Sequence, residues 1–208
     1  MRRNTNSGVR SVMTSDHDHR HGTTSMTRLD LDCPRECLPL QDWSASLVTH
    51  SGQCLLVRPV RDDDRGRLER FLRHVSAEDR RFRFLGETSV CRADQLAAMI
   101  DVDHVSTEHF IGCLPHSDSI IASALVTADR DHGVAGVAIL IDRRHKNRGF
   151  GFALLAHVAR FARAHGYKRL ISVESAHNSG ALAVEQDMGF AVTPMPGGRS
   201  LVLVEAEL

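Results

Sequence analysis

Residues 137–190 decide the fold of this chain. The stretch runs through six segments, in the order VAILI (137–141), DRRHKNR (142–148), GFG (149–151), FALLAHVARFARAH (152–165), LISV (170–173) and NSGALAVEQDMGF (178–190). The first and fifth segments are apolar runs of strand length, and the fourth and sixth carry helical spacings. Two apolar runs joined by a helix predict a parallel β-α-β unit, with the glycines at the start of its helix.

The glycine turn has the features of a phosphate site. A helix that begins at Gly149 leaves its first backbone N–H groups without intrahelical partners, and the helix dipole places partial positive charge on the same spot. Because Gly149 and Gly151 lack a Cβ, a pyrophosphate can approach the main chain closely. The turn also carries four cationic side chains, Arg143, Arg144, Lys146 and Arg148. We therefore predict a preformed anion site here.

Three other interpretations of the same glycines are a Walker loop, a dinucleotide-binding loop and a helix-entry turn without a ligand. A Walker loop is absent, because no segment matches G-x-x-x-x-G-K-[ST]. A dinucleotide fingerprint would need a third glycine at Leu154 and a first glycine directly after the strand, whereas seven residues separate Ile141 from Gly149. Glu174 nevertheless follows the second apolar run, where a ribose-binding acid would lie. A third alternative is a helix-entry turn without any ligand.

The segment KNRGFG (146–151) resembles the [QR]-x-x-G-x-[GA] acyl-CoA pyrophosphate loop of the GNAT superfamily of N-acetyltransferases. Asn178 with Ala181 and the closing MGF (188–190) resembles the motif that follows in that superfamily. Lys146 replaces the usual Gln or Arg but keeps a cationic donor. The resemblance implies acetyl-CoA as co-substrate, bound by Ile139, Leu140, Ile141, Lys146, Asn147, Arg148, Gly149, Phe150, Gly151, Phe152 and Asn178.

Composition limits the classes of protein that fit. The chain has 208 residues, of which 42% are hydrophobic and 25% charged, enough for one full core and a tail. Lys plus Arg equals Asp plus Glu at 26 each, so no global field favours nucleic acid or an anionic membrane. No apolar run approaches the ~18 residues that span a bilayer. We expect a soluble protein with neither nucleic acid nor membrane as partner.

The five cysteines favour a reducing, cytoplasmic location. Their count is odd, and their positions, 33, 37, 54, 91 and 113, form no obvious disulfide framework. Cys54, Cys91 and Cys113 lie in or beside apolar runs, which predicts buried structural thiols.

Residues 1–44 are predicted to be a disordered tail, and residues 45–208 a single domain. The tail is poor in aromatic and branched aliphatic residues and shows no sustained periodicity, so it cannot offset the entropy of ordering. Within it, DHDHRH (16–21) and the pair Cys33 and Cys37 are an alternative zinc or nickel site. No second tight Cys/His pair completes four ligands, and we therefore predict no metal.

The rest of the chain predicts strands and helices around the central unit. Residues 47–58 predict a hairpin, and 62–73, 76–84 and 92–100 predict helices. Three sequential runs, 109–113, 120–126 and 134–141, predict an antiparallel meander, and 191–192 and 201–204 two more strands. The segment RRFRF (80–84) is either a nucleic-acid stacking surface or, as we favour, a helix that packs its phenylalanines. The predicted class is α/β, a GNAT-like mixed sheet in which the meander leads into the parallel β-α-β unit, flanked by helices.

The front half resembles the bacterial protein-lysine acetyltransferase branch of the superfamily. The matching segments are RPV (58–60), LERFL (68–72), SAEDRRFRF (76–84) and IDVDH (100–104). This resemblance implies lysines of proteins as acceptors, beside small-molecule amines.

The chemistry requires a base, because a lysine with an unperturbed pKa near 10.4 must attack the thioester without its proton. Donors for the oxyanion are backbone N–H groups of the fourth strand in the GNAT family, by position Val137 to Ile141 here. The lysine-acetyltransferase branch usually carries a glutamate where this chain has Gly136. The general-acid tyrosine of other GNAT enzymes falls at Glu185, and the only tyrosine is Tyr167.

Both positions for acid and base groups are therefore altered, and replacements must be sought. Glu174 and His177 are the predicted catalytic residues, ahead of His132 and Glu185. Each has a structural alternative: Glu174 and His177 can simply polarise a strand end and a helix cap, and Glu185 can be a solvated helix residue. Two functions remain. One is transfer of an acetyl group from acetyl-CoA to a primary amine, and the other is a non-catalytic, regulatory acyl-CoA-binding GNAT domain.

Overall fold

A computed structural model of the chain describes residues 42–84, 92–129, 131, 133–196 and 200–208. The strands are β1 Ala45–Val48, β2 Cys54–Pro59, β3 Thr107–Cys113, β4 Ile120–Asp129, β5 Val134–Ile141, β6 Arg169–Ser175, β7 Ala191–Pro194 and β8 Leu201–Glu207. The helices are α1 Arg65–His74, α2 Ala77–Phe84, α3 Ala93–Ala98, α4 Phe150–Ala164 and α5 Ser179–Asp187. The predictions for residues 1–41, Cys91 and His132 lie outside the described residues.

The described strands form one eight-stranded mixed sheet. Its order is β1-β2-β3-β4-β5-β6-β8-β7, in which only β5 and β6 run parallel. The hairpin β1–β2 and the meander β3–β4–β5 are antiparallel, and α4 is the crossover between the two parallel strands. The predicted fold class, an antiparallel meander that leads into a parallel β-α-β unit, is confirmed.

Each face of the sheet carries its own hydrophobic cluster. Neighbouring residues of one strand point to opposite faces, so Phe110 packs in the cluster with α4 while Ile111 packs in the cluster with α1 and α3. Trp43, which precedes β1, packs edge-on against Phe161 of α4 with ring centroids 5.2 Å apart. The packed body thus includes a residue that the sequence assigned to the tail.

Parallel pairing between β5 and β6 is short. It joins Val134 to Arg169, Ala135 to Leu170 and Gly136 to Ile171, and no pairing follows although both strands continue. The strands therefore separate toward their carboxyl ends. This gap in the middle of the sheet positions the site described below.

Two local predictions have clear outcomes. The segment RRFRF lies at the end of α2, whose start is capped by Ser76, since the Ser76 hydroxyl accepts from the backbone N–H of Asp79 at 3.1 Å. Phe84 packs, partly buried, on the cluster beneath α1 and α3. Cys54 and Cys113 are free thiols but only partly buried, so the prediction of fully buried thiols was wrong for both. None of the described helices is long and apolar enough to cross a bilayer.

Candidate active site

Two adjoining cavities occupy the gap between β5 and β6. The loop cavity, about 160 Å³, lies between the turn after β5, the start of α4, and α5. The strand cleft, about 610 Å³, runs along β5 and β6 and is bordered by α2. Among the residues that the structure describes, eight line both spaces: Asp79, Val137, Ile139, Lys146, Ser172, Glu174, Asn178 and Gly180. The two cavities meet at these side chains.

The turn that enters α4 is built as the sequence predicts. Gly149 caps the helix with φ +82°, a left-handed conformation, and a Cβ there would lie 3.1 Å from Cβ of Thr49. Gly151 lies one residue into the helix, and a Cβ built on it would meet no atom within 4 Å. Residues 149–152 line the loop cavity, so a diphosphate in that cavity can approach the first amides of α4.

Buried Asp142 holds the basic turn in place. Its carboxylate accepts a hydrogen bond from the backbone N–H of Arg144 at 2.9 Å and from the Arg144 guanidinium at 2.6 Å. Arg144 is therefore engaged, while Lys146 extends to the cavity and pairs with Asp79 of α2, with Nζ and Oδ2 2.6 Å apart. Arg148 lines neither cavity.

The other predicted coenzyme residues divide between the two spaces. Leu140 lines only the strand cleft. The loop cavity is lined by Ile139, Ile141, Lys146, Asn147, Gly149, Phe150, Gly151, Phe152 and Asn178. These side chains come from β5, the turn, α4 and the N-cap of α5, so the fold brings together nine of the eleven residues that the resemblance implied, without Leu140 and Arg148.

Glu174 lies where the two cavities meet. Asn178, the N-cap of α5, accepts from the backbone N–H of Ala181 and donates its Nδ2 proton to Oε2 of Glu174 at 3.1 Å. Burial, and next the nearby Glu185 carboxyl, raise the pKa of Glu174 to about 7. A carboxyl group of this pKa exchanges protons readily near neutral pH.

Glu185 is not the solvated helix residue that the sequence allowed. Its side chain is only 5% exposed and lines the loop cavity. The Ser172 hydroxyl donates to Oε1 at 2.5 Å, and among the described residues Oε2 has no hydrogen-bond partner. Burial raises the pKa of this carboxyl group.

The sequence of the chain matches a known family over more than half of its length. The profile of the Acetyltransferase (GNAT) family matches residues 71–190. The chain belongs to this GNAT family. GNAT acetyltransferases use acetyl-CoA as co-substrate, and the matched span includes the loop of residues 146–151.

Individual relatives agree with the family. An acetyltransferase of Pseudomonas aeruginosa is 30% identical over 139 residues, which cover 65% of this chain and 73% of the relative. The GNAT domain of S. lividans PAT superposes with a TM-score of 0.72 at 26% identity, covering 80% of this chain and 97% of that domain. A GNAT-family acetyltransferase from Streptococcus pneumoniae, at 21% identity, shares the fold with a TM-score of 0.56, covering 74% and 99%.

Three residues bear on the prediction that the GNAT positions for acid and base groups are altered in this chain. Gly136 lines the strand cleft, and a Cβ there would lie 3.1 Å from the Thr127 hydroxyl oxygen. Tyr167 is buried in the core and lines neither cavity. His177 is exposed, lines only the strand cleft, and donates its backbone N–H to Ser175. Of the two predicted catalytic residues, only Glu174 borders both spaces.

Sequence reasoning missed two residues of the site. Asp79 was not predicted as a site residue, because its partner Lys146 is 67 positions away in the sequence (146 minus 79). Ser172 lies two residues before Glu174 on the same face of β6, so the period of a strand was a signal that pointed to it. Among the described residues, no group of three or more His, Cys, Asp or Glu side chains is placed to hold a metal ion.

Proposed function

We propose that this GNAT protein transfers the acetyl group of acetyl-CoA to a primary amine, with Glu174 as the general base. The observation that carries the proposal is the position of Glu174, which borders the loop cavity on one side and the strand cleft on the other. A base must reach the attacking nitrogen beside the thioester, and only the junction of the two spaces meets that need.

The coenzyme lies in the loop cavity in this proposal. The α4 amides bind the diphosphate, helped by Lys146, because that helix end carries partial positive charge and Gly151 leaves it accessible. The thioester extends along β5, where the sheet has opened. Backbone N–H groups of β5 that face the gap polarise the carbonyl and stabilise the oxyanion.

The acceptor enters through the strand cleft, and its chemistry supports a lysine side chain. Three carboxyl groups, from Glu78, Asp79 and Glu174, line the cleft against two cationic side chains, Arg83 and Lys146. Apolar residues of β4 and β6, including Leu125 and Val173, line the same space. A long alkyl chain that ends in an ammonium group matches both properties. The likeness to the S. lividans PAT domain supports the same class of acceptor.

One observation favours a second candidate function. The position at which lysine-acetylating relatives carry a glutamate is Gly136, beside the Thr127 hydroxyl. If Glu174 does not replace that base, the protein is a non-catalytic acyl-CoA-binding regulatory domain.

A paired measurement separates the two functions. Isothermal titration measures acetyl-CoA binding, and a thiol reagent measures CoA release with lysine-containing peptides, spermidine and simple alkylamines. The proposed function requires binding and amine-dependent release, with the acetylated amine found by mass spectrometry. Binding without release on any amine favours the regulatory domain. A folded protein that neither binds nor releases contradicts both.

A further inference from the structure

One ion pair joins the two sides of the candidate active site. Nζ of Lys146, in the turn before α4, lies 2.6 Å from Oδ2 of Asp79 on α2. Both residues line the loop cavity and the strand cleft, so the pair lies where the coenzyme side meets the acceptor side. A change at either partner can therefore affect both sides.

Lys146 is the cation of the turn that a diphosphate in the loop cavity meets. The turn carries four cationic side chains, Arg143, Arg144, Lys146 and Arg148, all in the described part of the chain, and only Lys146 lines the two cavities. Its side chain is 38% exposed and its alkyl stem is flexible, so its ammonium group can move. A diphosphate therefore competes with Asp79 for this ammonium group.

Asp79 loses its partner when Lys146 turns to the diphosphate. In the paired state Oδ2 has almost no exposed surface, and the side chain as a whole is 15% exposed. An ionised carboxylate that is left without a cation in so enclosed a position is destabilised. Asp79 also borders the strand cleft, where the amine that the proposed function requires arrives as an ammonium ion.

We propose that Asp79 binds the ammonium group of the acceptor, and that Lys146 occupies this position until the coenzyme binds. This inference rests on the proposed function, because it requires the coenzyme in the loop cavity and an amine in the strand cleft. The side chain of Lys146 has the alkyl stem and the ammonium group of a lysine acceptor. Binding of the coenzyme moves that group to the diphosphate and leaves Asp79 to the acceptor.

The charges around Glu174 support this exchange. Burial, and next the Glu185 carboxyl, are the main causes of the raised pKa of Glu174; among the smaller causes, the Asp79 carboxylate raises this pKa and the Lys146 ammonium lowers it. Both partners thus lie within electrostatic reach of the proposed base. An acceptor ammonium at Asp79 replaces the positive charge that Lys146 takes away, and it brings the nitrogen close to the base that deprotonates it.

The exchange predicts a coupling between the two ligands. If the coenzyme raises the affinity for the amine, the amine must raise the affinity for the coenzyme by the same factor. Titration calorimetry can measure this factor with coenzyme A and the best amine of the panel, since these two ligands bind without reacting. In wild type we expect a factor of roughly three to five, the size that a partly exposed ion pair supplies. The acetylated form of the amine, which has no ammonium group, should show no coupling.

Two variants remove one partner each. In Lys146→Met, Asp79 is unpaired from the start, so the amine should bind equally well with and without coenzyme A, and the coupling factor should fall close to one. In Asp79→Asn the amine should bind weakly in both states, with a coupling factor close to one and a KM for the amine that rises roughly three- to fivefold.

Glu78→Gln is the matched control. Glu78 is the neighbouring acid on α2, and it lines the strand cleft but not the loop cavity. Its loss should weaken amine binding by the same factor with and without coenzyme A, so the coupling of wild type should remain. Loss of the coupling in this variant as well would mean that the general charge of the cleft causes it, and would overturn the exchange at Asp79.

The remaining outcomes separate this inference from the proposed function. Wild type that acetylates the amine but binds coenzyme A equally well with and without it overturns the exchange and leaves the proposed function intact. Coupling that persists in either variant of the ion pair overturns the exchange too, so one folded variant suffices. Wild type that binds acetyl-CoA but acetylates no amine overturns the proposed function, and this inference with it. Coupling in wild type and Glu78→Gln that disappears in the variants of the ion pair supports the exchange.

Discussion

The coenzyme loop, residues 146–152, and the carboxyl pair, Glu174 and Glu185, lie in the same cavity but depend on the sequence in different ways. The loop works through backbone amides at the start of one helix, so it is encoded within a few consecutive residues. The pair works through side-chain atoms from β6 and α5, which only tertiary packing brings together.

This difference gives a physical reason for the prediction that the loop keeps the GNAT pattern while the acid and base positions are altered. A backbone site tolerates a change of side chain, and Lys146 stands where Gln or Arg is usual without altering the turn. A carboxyl or phenol group can act from any element that borders the reacting atoms, because the reaction requires a position and not a motif. The variants described next each alter either the coenzyme loop or the carboxyl pair, and the measurements test whether the other region is affected.

The largest effect is expected for Glu174→Gln. Removing the base should lower kcat by about 10²- to 10⁴-fold and abolish the limb of the pH–rate profile near 7, where the wild-type rate rises as Glu174 ionises. The Kd for acetyl-CoA, measured by titration calorimetry, should change less than threefold, since the loop is untouched. A variant that retains the limb near 7 would assign the base to another group.

Gly151→Val should impair the loop and spare the carboxyl pair. Because a Cβ at Gly151 meets no protein atom, the variant should fold with an unchanged Tm, yet its branched side chain fills the approach to the α4 amides. Losing one charge-assisted hydrogen bond to the diphosphate should raise the Kd for acetyl-CoA roughly 10- to 100-fold, with kcat at saturation nearly unchanged.

Gly149→Ala is the matched control within the same turn. Its φ of +82° and the 3.1 Å contact with Thr49 mean that an added Cβ strains the fold itself, at a cost of about 1–2 kcal/mol. Here Tm should fall. Equal losses of Tm in the two glycine variants would contradict the distinction between an open and a packed glycine.

Substitutions of the two partners in the Lys146–Asp79 ion pair should change the affinity for acetyl-CoA in opposite directions. Lys146→Met removes a cation from the diphosphate and should weaken acetyl-CoA binding, whereas Asp79→Asn releases Lys146 and should strengthen it, each roughly two- to fivefold. Both effects should shrink as salt is added, which calorimetry in a salt series would detect. Weaker binding by both variants would assign Asp79 to coenzyme binding instead.

The sequence predicted the parts of the molecule that are encoded locally. The strand, turn and helix from Val137 to Ala164 and the hairpin of β1 and β2 follow from apolar periods and glycines. The burial of Glu185 did not follow. On a helix of nine residues with apolar side chains at Leu182 and Val184, the pattern does not decide which face is buried.

The sequence did not predict the opening between β5 and β6 either. β5 has no polar side chain and β6 alternates apolar and polar residues, and neither pattern reveals where a hydrogen-bonded ladder ends. The partner of Lys146 depends on how α2 packs beside the cleft between β5 and β6, a contact between residues 67 positions apart (146 minus 79). Such features arise from tertiary packing, and the resemblance to a family supplied only their general location.

The smallest expected effect is on the free energy of unfolding, and it should depend on pH for a variant of the carboxyl pair but not for a variant of the coenzyme loop. The pKa of Glu174 is raised in the folded protein to about 7 from 4.5, so this group stabilises the fold fully below pH 4.5, and that contribution is lost as the pH rises through 7. Glu174→Gln stays neutral, so near pH 8 it should exceed wild type in free energy of unfolding by an amount on the order of 2 kcal/mol, a few degrees in Tm.

The gain should vanish as the pH falls toward 4.5, because wild-type Glu174 is then protonated in the folded protein and increasingly so in the unfolded chain. The difference in Tm between Gly151→Val and wild type, measured by calorimetry in the same buffers, should be independent of pH, because no titrating group is altered there. A pH-independent gain for Glu174→Gln would mean that this carboxyl group is not held in the shifted state that base catalysis near neutral pH requires, and it would move the search for the base to the other residues of the strand cleft.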